Sequence, residues 1–235
     1  MRKIGAANNY LKNQSRKYLS RAILSFLLFS VILILTGYHV IFQTQNIGLI
    51  DGIGFVIAII WLLVFQYYQR KYYTYKGGRQ GEKAVINALT NSLSDEYYLI
   101  NGAYLNGRGG DIDHIVLGPS GIYVLETKNW SGKIICYGDQ WQRPGKKVKN
   151  SPSLQVKHNT QKVKKIVDAS PAFRGFKVWV EGLLVFTNTY ADLCLSNPTV
   201  TVLKLQQLHS YIKNQKNNHL TKEQIQKLVN QIQNV

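Results

Sequence analysis

Residues 22–65 contain no Lys, Arg or Glu and a single Asp, Asp51, and this is the feature that most restricts what the chain can fold into. The first apolar run, AILSFLLFSVILILTGYHVIF (22–42), is long enough to cross a hydrocarbon core of about 30 Å as a helix. The second, IGLIDGIGFVIAIIWLLVF (47–65), is nearly as long, with Asp51 close to one end, where water is expected to reach it. QTQN (43–46) reads as the short polar turn between them. Backbone groups in lipid must be satisfied within the segment, so the pair is predicted to be a transmembrane helical hairpin. A secretory signal peptide is the competing reading of the first run. The second run follows at once, and no small-residue cleavage site separates them.

The flanking charges orient this hairpin. Arg2, Lys3, Lys12, Arg16, Lys17 and Arg21 precede it, Arg70, Lys71, Lys76 and Arg79 follow it, and the connecting turn has neither Lys nor Arg. Both termini, and the domain beyond the second span, are therefore expected in the cytoplasm of a multi-pass membrane protein. QYYQRKYYTYKGG (66–78) suits an interfacial exit, where tyrosine rings sit at the headgroups and basic residues meet anionic lipid. Asp51 is the sole acid in the spans, and no pathway of ionisable groups crosses them, which argues against the hairpin as a transport unit.

The remainder is a basic, water-soluble chain. From Gln66 onward there are 23 basic residues and 11 acids, a net charge of +12. Cys136 and Cys194 lie far apart and in no ligand-type spacing, so each is read as an incidental thiol, and the five histidines show no zinc-type arrangement. RQGEKAVINALTNSL (79–93) repeats apolar residues at helical spacing and is expected to be a three-turn helix after a glycine-marked loop. EYYLINGAYL (96–105) reads as a strand ending in the turn signal NGRGG (106–110). Two strands, 112–117 and 122–128, follow, then a shorter hairpin with its turn near YGDQ. Ser151 and Pro152 start a helix that runs toward Pro171. KVWVEGLLVFTN is a buried strand, TVTVL a shorter one, and helices over about 204–212 and 221–232 complete the chain. This order implies an α/β domain with a mixed sheet. The expected segments are a basic N-terminus (1–21), the hairpin (22–65), the main domain (77–190) and a C-terminal strand with helices (191–235) packing on or extending it.

The two central strands hold the unusual side chains. In DIDHIVLGPSGIYVLETKNWSG (111–132), a symmetric two- or four-residue connection pairs residues whose numbers sum to 239. Asp113 then stands opposite Glu126, and Asp111 opposite Lys128, with opposed Cβ atoms about 4.5–5.5 Å apart. Two carboxylates that close repel each other, and a divalent cation between them removes the difficulty. Alternation puts Lys128 on the face of Glu126 and His114 on the face away from Asp113, where a structural histidine is expected. Pro119 disfavours the primed two-residue turns, and a three-residue PSG turn with a glycine bulge would flip Asp113, so a four-residue loop is expected.

GRQGEKAV, GDIDHIVLGPSGIYVLETKNWSG and SPSLQVKHN resemble, in order and spacing, the conserved blocks of the nuclease-related domain (NERD) family, a branch of the PD-(D/E)XK nucleases. The resemblance runs over about 77–188 and implies a restriction-endonuclease-like core with metal-dependent nuclease activity on DNA. It places Asp113 at the first acidic position, Glu126 at the second, Lys128 at the lysine, Glu82 at an additional helical acid and Gln155 at a polar position of the later helix. The proline that precedes the first Asp in the superfamily is replaced here by Ile112.

Mg²⁺, with Mn²⁺ as a substitute, takes oxygen ligands and keeps several waters, so Asp113, Glu126 and the Thr127 carbonyl suit it, with Glu82 acting directly or through water. Gln155, Asn159 and Lys162 share one face of a helix that also carries Lys157, and these four are the expected substrate contacts. Each residue also has a plain structural role open to it. Glu82 can favour a helix dipole, Asp111 can pair with Lys128, and Trp130 and Trp141 can simply pack. The lysine-rich stretch from Lys146 to Lys165 suits phosphate backbones and anionic lipid alike. Two functions follow: a membrane-anchored cytoplasmic nuclease, or a non-catalytic module tethered to the membrane that binds nucleic acid or protein.

Overall fold

A computed structural model describes residues 1–4, 9–42, 48–105, 111–215 and 219–233. The polar turn at 43–46 and the NGRGG signal lie outside the described residues. The chain forms two compact units, one of residues 9–79 and one of residues 1–8 with 80–235.

The first unit pairs two long helices, α1 (Asn9–Phe42) and the membrane-side part of α2 (Leu49–Ser92). Both are long and apolar enough to cross a membrane, and in their most apolar stretches only 17% and 11% of residues are buried. A soluble core helix would be covered by protein. These instead present Ile34, Leu35, Ile41, Leu49, Ile59 and Leu63 outward, as lipid-facing surfaces do. The helices meet through Phe26 and Phe65, through the stacked rings of Tyr18 and Tyr75 at 5.3 Å, and through Gly54, whose missing Cβ leaves room for Thr36. Asp51 does not face water as its position near a span end suggests. It is 1% exposed, with Oδ1 2.7 Å from His39 Nδ1 and Oδ2 accepting from Gly48 N–H at 3.0 Å.

α2 runs from the second span into the other unit. It continues without a break through Lys76, Gly77 and Gly78 to Ser92, so the glycine-marked loop is absent. Two glycines cost a helix about 1 kcal/mol each, which a helix already propagating on both sides can absorb.

The second unit is built on a six-stranded mixed sheet, β1 (Arg2–Ile4), β2 (Tyr98–Ala103), β3 (Ile112–Gly118), β4 (Gly121–Lys128), β7 (Val180–Phe186) and β9 (Thr201–Lys204), in that spatial order. β3 runs antiparallel to β2 and β4, while β1 lies parallel to β2, and β7 parallel to both β4 and β9. A small sheet of β6 (Gln140–Gln142), β5 (Gly132–Tyr137) and β8 (Ala191–Ser196) stands beside it. β1 and β8 carry no strand signature in the sequence, because three residues are too few to show a period and β8 is mostly exposed.

Helices cover both faces of the large sheet. Val85 and Leu89 of α2 with Leu208 and Ile212 of α4 (Leu205–Asn214) pack on Leu99, Val116, Tyr123, Leu125 and Leu183. On the other face, α3 (Pro152–Ala169) and α5 (Lys222–Gln233) bring Val163, Val167, Leu228 and Val229 against Ile115, Leu117, Ile122 and Val124. Ser151 caps α3 through the Leu154 N–H, and Pro152 opens its first turn, as the sequence indicates. β9, α4 and α5 thus take part in the sheet and its core.

The predicted 239 register is the observed one, from Gly118↔Gly121 to His114↔Leu125. The connection is shorter than expected, a two-residue turn at Pro119–Ser120 rather than a four-residue loop. Neither turn residue has positive φ, and Gly121 at φ 151° absorbs the mismatch that a primed turn would otherwise have removed.

Gly182 sets the seat of α3 on β7. A Cβ there would stand 2.4 Å from Val156 Cγ1 and 2.5 Å from Thr160 Oγ1, two residues one turn apart on the helix. Gly182→Ala is expected to destabilise the domain by about 1–3 kcal/mol through this overpacking, read as a lower denaturation midpoint of the detergent-solubilised chain.

Candidate active site

The open end of the β3–β4 hairpin gathers most of the singled-out side chains. The backbone ladder stops at His114↔Leu125, and one residue further on Asp113 Oδ2 accepts from the Thr127 N–H at 2.7 Å. A side-chain carboxylate thus takes the place of the next main-chain acceptor and fixes Asp113 beside the start of Glu-Thr-Lys. Thr187 N–H donates to the Lys128 carbonyl on the opposite edge of β4, so alternation turns the backbone groups of Thr127 toward β3 and those of Lys128 toward β7.

Glu126 and Lys128 share a face, as a two-residue period requires. Glu126 is 3% exposed, and its Oε1 accepts from Lys128 Nζ at 2.5 Å. The ammonium also donates to Gln155 Oε1 of α3 at 3.2 Å. Lys128 is therefore held by Glu126 and Gln155, not by Asp111 as the register alone suggests.

Glu82 reaches this end from α2 because of the residue before it. A Cβ on Gly81 would lie 2.9 Å from Thr187 Oγ1, 3.0 Å from Asn129 Cβ and 3.3 Å from Thr127 Cγ2, so glycine lets the helix lie against the strand ends. The reading of the sequence missed Gly81. A glycine inside a helical pattern and next to an acid was the available sign.

The electrostatics reflect crowding of like charge. Burial, then Asp113 and Asp111, push the Glu82 carboxyl up to about 8. Asp113 is raised by burial and by Glu126, against the Thr127 N–H and Lys128, which favour its anion. Burial raises Glu126 as well, with Lys128 opposing. One ammonium thus faces a group of carboxyls that favours bound protons or cations.

Unmet hydrogen-bonding capacity concentrates here too. Glu126 Oε2, Thr127 Oγ1 and Thr187 Oγ1 are buried without a protein partner. Among the described residues no three His, Cys, Asp or Glu side chains are grouped closely enough to cage a metal by themselves. Mg²⁺ asks for less, since one or two carboxylates with water and substrate phosphate complete its shell. Asp113, the orphaned oxygen of Glu126 and the Thr127 carbonyl are hard oxygen donors that fit that requirement.

The other singled-out residues divide. Asn159 is buried one turn beyond Gln155 on α3, and Lys162 is half-buried further along. Lys157 turns elsewhere, to Asp139 Oδ2 at 2.7 Å in the β5–β6 turn, because a two-residue step from Gln155 crosses to another side of the helix. His114 is fully buried on the α2 face. Its Nδ1 lies 2.8 Å from Asn101 Oδ1, its Nε2 has no partner, and burial pushes its pKa down to about 3, leaving a neutral ring. Cys136 is buried and Cys194 exposed, both as free thiols.

Comparison with known proteins places this hairpin. Residues 77–187 match the nuclease-related domain, NERD. Over 66 residues the chain is 38% identical to an uncharacterized protein of Bacillus anthracis, a stretch that is 27% of this chain and 30% of that protein. No solved structure matches the chain. The domain's span takes in the end of α2 with Glu82, the whole hairpin, and α3 with Gln155.

Because the folded Glu82 carboxyl is raised from its ordinary 4.5 to about 8, its contribution to stability is present in full below about 4.5 and is lost as pH rises toward 8. In EDTA, Glu82→Gln is expected to flatten this decline and to raise the melting temperature at pH 8, by about 2–4 °C for each kcal/mol of repulsion relieved, measured by circular dichroism of the detergent-solubilised chain.

Proposed function

We propose that the protein is a membrane-anchored, metal-dependent nuclease that hydrolyses phosphodiester bonds of nucleic acid, with DNA as the substrate. The observation that carries this reading is the meeting of Asp113, Glu126 and Lys128 at one end of the hairpin, within a nuclease-related domain. The likeness of its motif to the PD-(D/E)XK nucleases supports a restriction-endonuclease-like core. The flanking lysines and arginines support a cytoplasmic location for the domain.

In this reading Asp113, Glu126 and the Thr127 carbonyl would hold Mg²⁺, with Glu82 as a further acid for the site. The ion supplies a Lewis acid for the phosphate and a more acidic bound water. Lys128, fixed by Glu126 and Gln155, presents a point charge where negative charge grows on the phosphate oxygens. Glu82, once ionised, accepts the proton released by the attacking water, and the surroundings that raise its carboxyl make it a stronger base than an exposed glutamate. Asn159 and Lys162 continue the Gln155 face along α3 and border the path of the strand, while Lys157 serves the phosphates only after leaving Asp139. The exposed lysines contribute a salt-sensitive attraction to the backbone.

One observation favours a second reading, a non-catalytic module that binds nucleic acid or protein at the membrane: no three ligating side chains are grouped among the described residues. Calorimetric titration with Mg²⁺ or Mn²⁺ separates the two. Heat that disappears in Asp113→Asn supports the nuclease, and no heat in either protein supports the module.

The direct test is cleavage of labelled DNA by the purified full chain in detergent. Asp113→Asn is expected to abolish Mg²⁺-dependent cutting, and Lys128→Ala to slow it by about 10²–10³-fold, with both retaining the wild-type circular dichroism spectrum. A folded wild-type chain that binds Mg²⁺ and cuts no nucleic acid would overturn the proposal.

A further inference from the structure

Beyond Lys128, past Trp130, lies an arginine that the hydrolytic site does not use. Trp130, two residues past Lys128, sets its ring edge-on to Phe186 at 6.0 Å, and Phe186 is the strand partner of Lys128. The guanidinium of Arg143, at the end of β6, lies over the Trp130 ring at 4.6 Å. Its Nη2 donates to the Ser131 carbonyl at 3.4 Å, while Nε is buried with no partner. Among the described residues Arg143 takes part in no ion pair, although burial lowers its pKa and so disfavours the charge it must keep. A half-buried cation, stacked on one side and lacking an anion, is costly unless something supplies the anion.

The local backbone holds this arginine in place. Arg143 and Lys146 are bridged across a Pro144–Gly145 turn, with Lys146 N–H donating to the Arg143 carbonyl at 2.9 Å and Gly145 at φ 71°. Lys146, Lys147 and Lys149 continue from it, exposed, and among the described residues none is ion-paired. With Nη2 on the Ser131 carbonyl and the guanidinium set over the Trp130 ring, Nη1 remains to donate to an anionic oxygen, which a phosphodiester provides.

We propose that Arg143, shelved on Trp130, is a phosphate-binding residue that grips the nucleic-acid backbone next to the bond presented to Lys128. This rests on the nuclease reading for its ligand but not for its chemistry. Nucleic acid is favoured over lipid because Trp130, which carries the arginine, follows Lys128 by two residues and packs on Phe186, the strand partner of Lys128.

The test is binding of a fluorescein-labelled oligonucleotide, single-stranded and duplex, to the full chain in zwitterionic nanodiscs with EDTA, so that no cutting occurs. Arg143→Ala is expected to weaken binding about tenfold and to lower the slope of log affinity against log salt by about one. Arg143→Lys, which keeps the charge without the fork, is expected to retain the slope with intermediate affinity. Unchanged affinity and slope in a folded Arg143→Ala chain would overturn the proposal while leaving the nuclease reading intact. The expected loss of binding, in a chain that cuts nothing with any metal, would support the phosphate site and remove the nuclease reading. A wild-type chain that binds neither oligonucleotide would overturn both. So would an Arg143→Ala effect seen only when anionic lipid is added to the discs, since it assigns the arginine to the membrane.

Discussion

The hydrogen bond from the Thr127 N–H to the Asp113 carboxylate joins the hairpin to its chemistry. Above it, β3 and β4 form an apolar antiparallel ladder in a fixed register. Below it, main-chain pairing gives way to side chains, and Glu126, Lys128 and Asp113 meet at that end. The backbone amide also stabilises the Asp113 anion, partly offsetting the burial and repulsion that raise its pKa.

Each further part of the site is positioned by a small residue or a cap. Gly81 lets α2 approach the ends of β4 and β7, which brings Glu82 to the carboxylates. Gly182 lets α3 approach β7, and the Ser151 cap with Pro152 sets where α3 begins, so that Gln155 meets Lys128. The unpaired oxygens of Glu126, Thr127 and Thr187 mark what this arrangement gives up. Crowded carboxyls and unsatisfied acceptors lower the stability of the empty domain, the usual relation between a preformed site and its fold.

The membrane part follows different physics. Its two helices expose apolar side chains almost everywhere and bury the few polar ones between them, with Asp51 against His39 and Gly54 against Thr36. α2 belongs to both units of the chain, since the helix that begins among lipid-type side chains ends by packing Val85 and Leu89 on the sheet.

Local pattern in the sequence was sufficient for the two apolar spans, the mixed α/β order, the start of α3, and the 239 register with its alternation, because each depends on neighbours a few positions apart. It placed Asp113 opposite Glu126 and put Lys128 on the same face as Glu126 for that reason. Tertiary structure alone decided the partners: Glu126 and Gln155 for Lys128, Asp139 for Lys157, Asn101 for His114, Trp130 for Arg143, and β2 for the three residues at the N-terminus. It also carried α2 through Gly77 and Gly78. Contacts between residues distant in sequence depend on how helices seat on a sheet, and a short-range period contains no information about that seating.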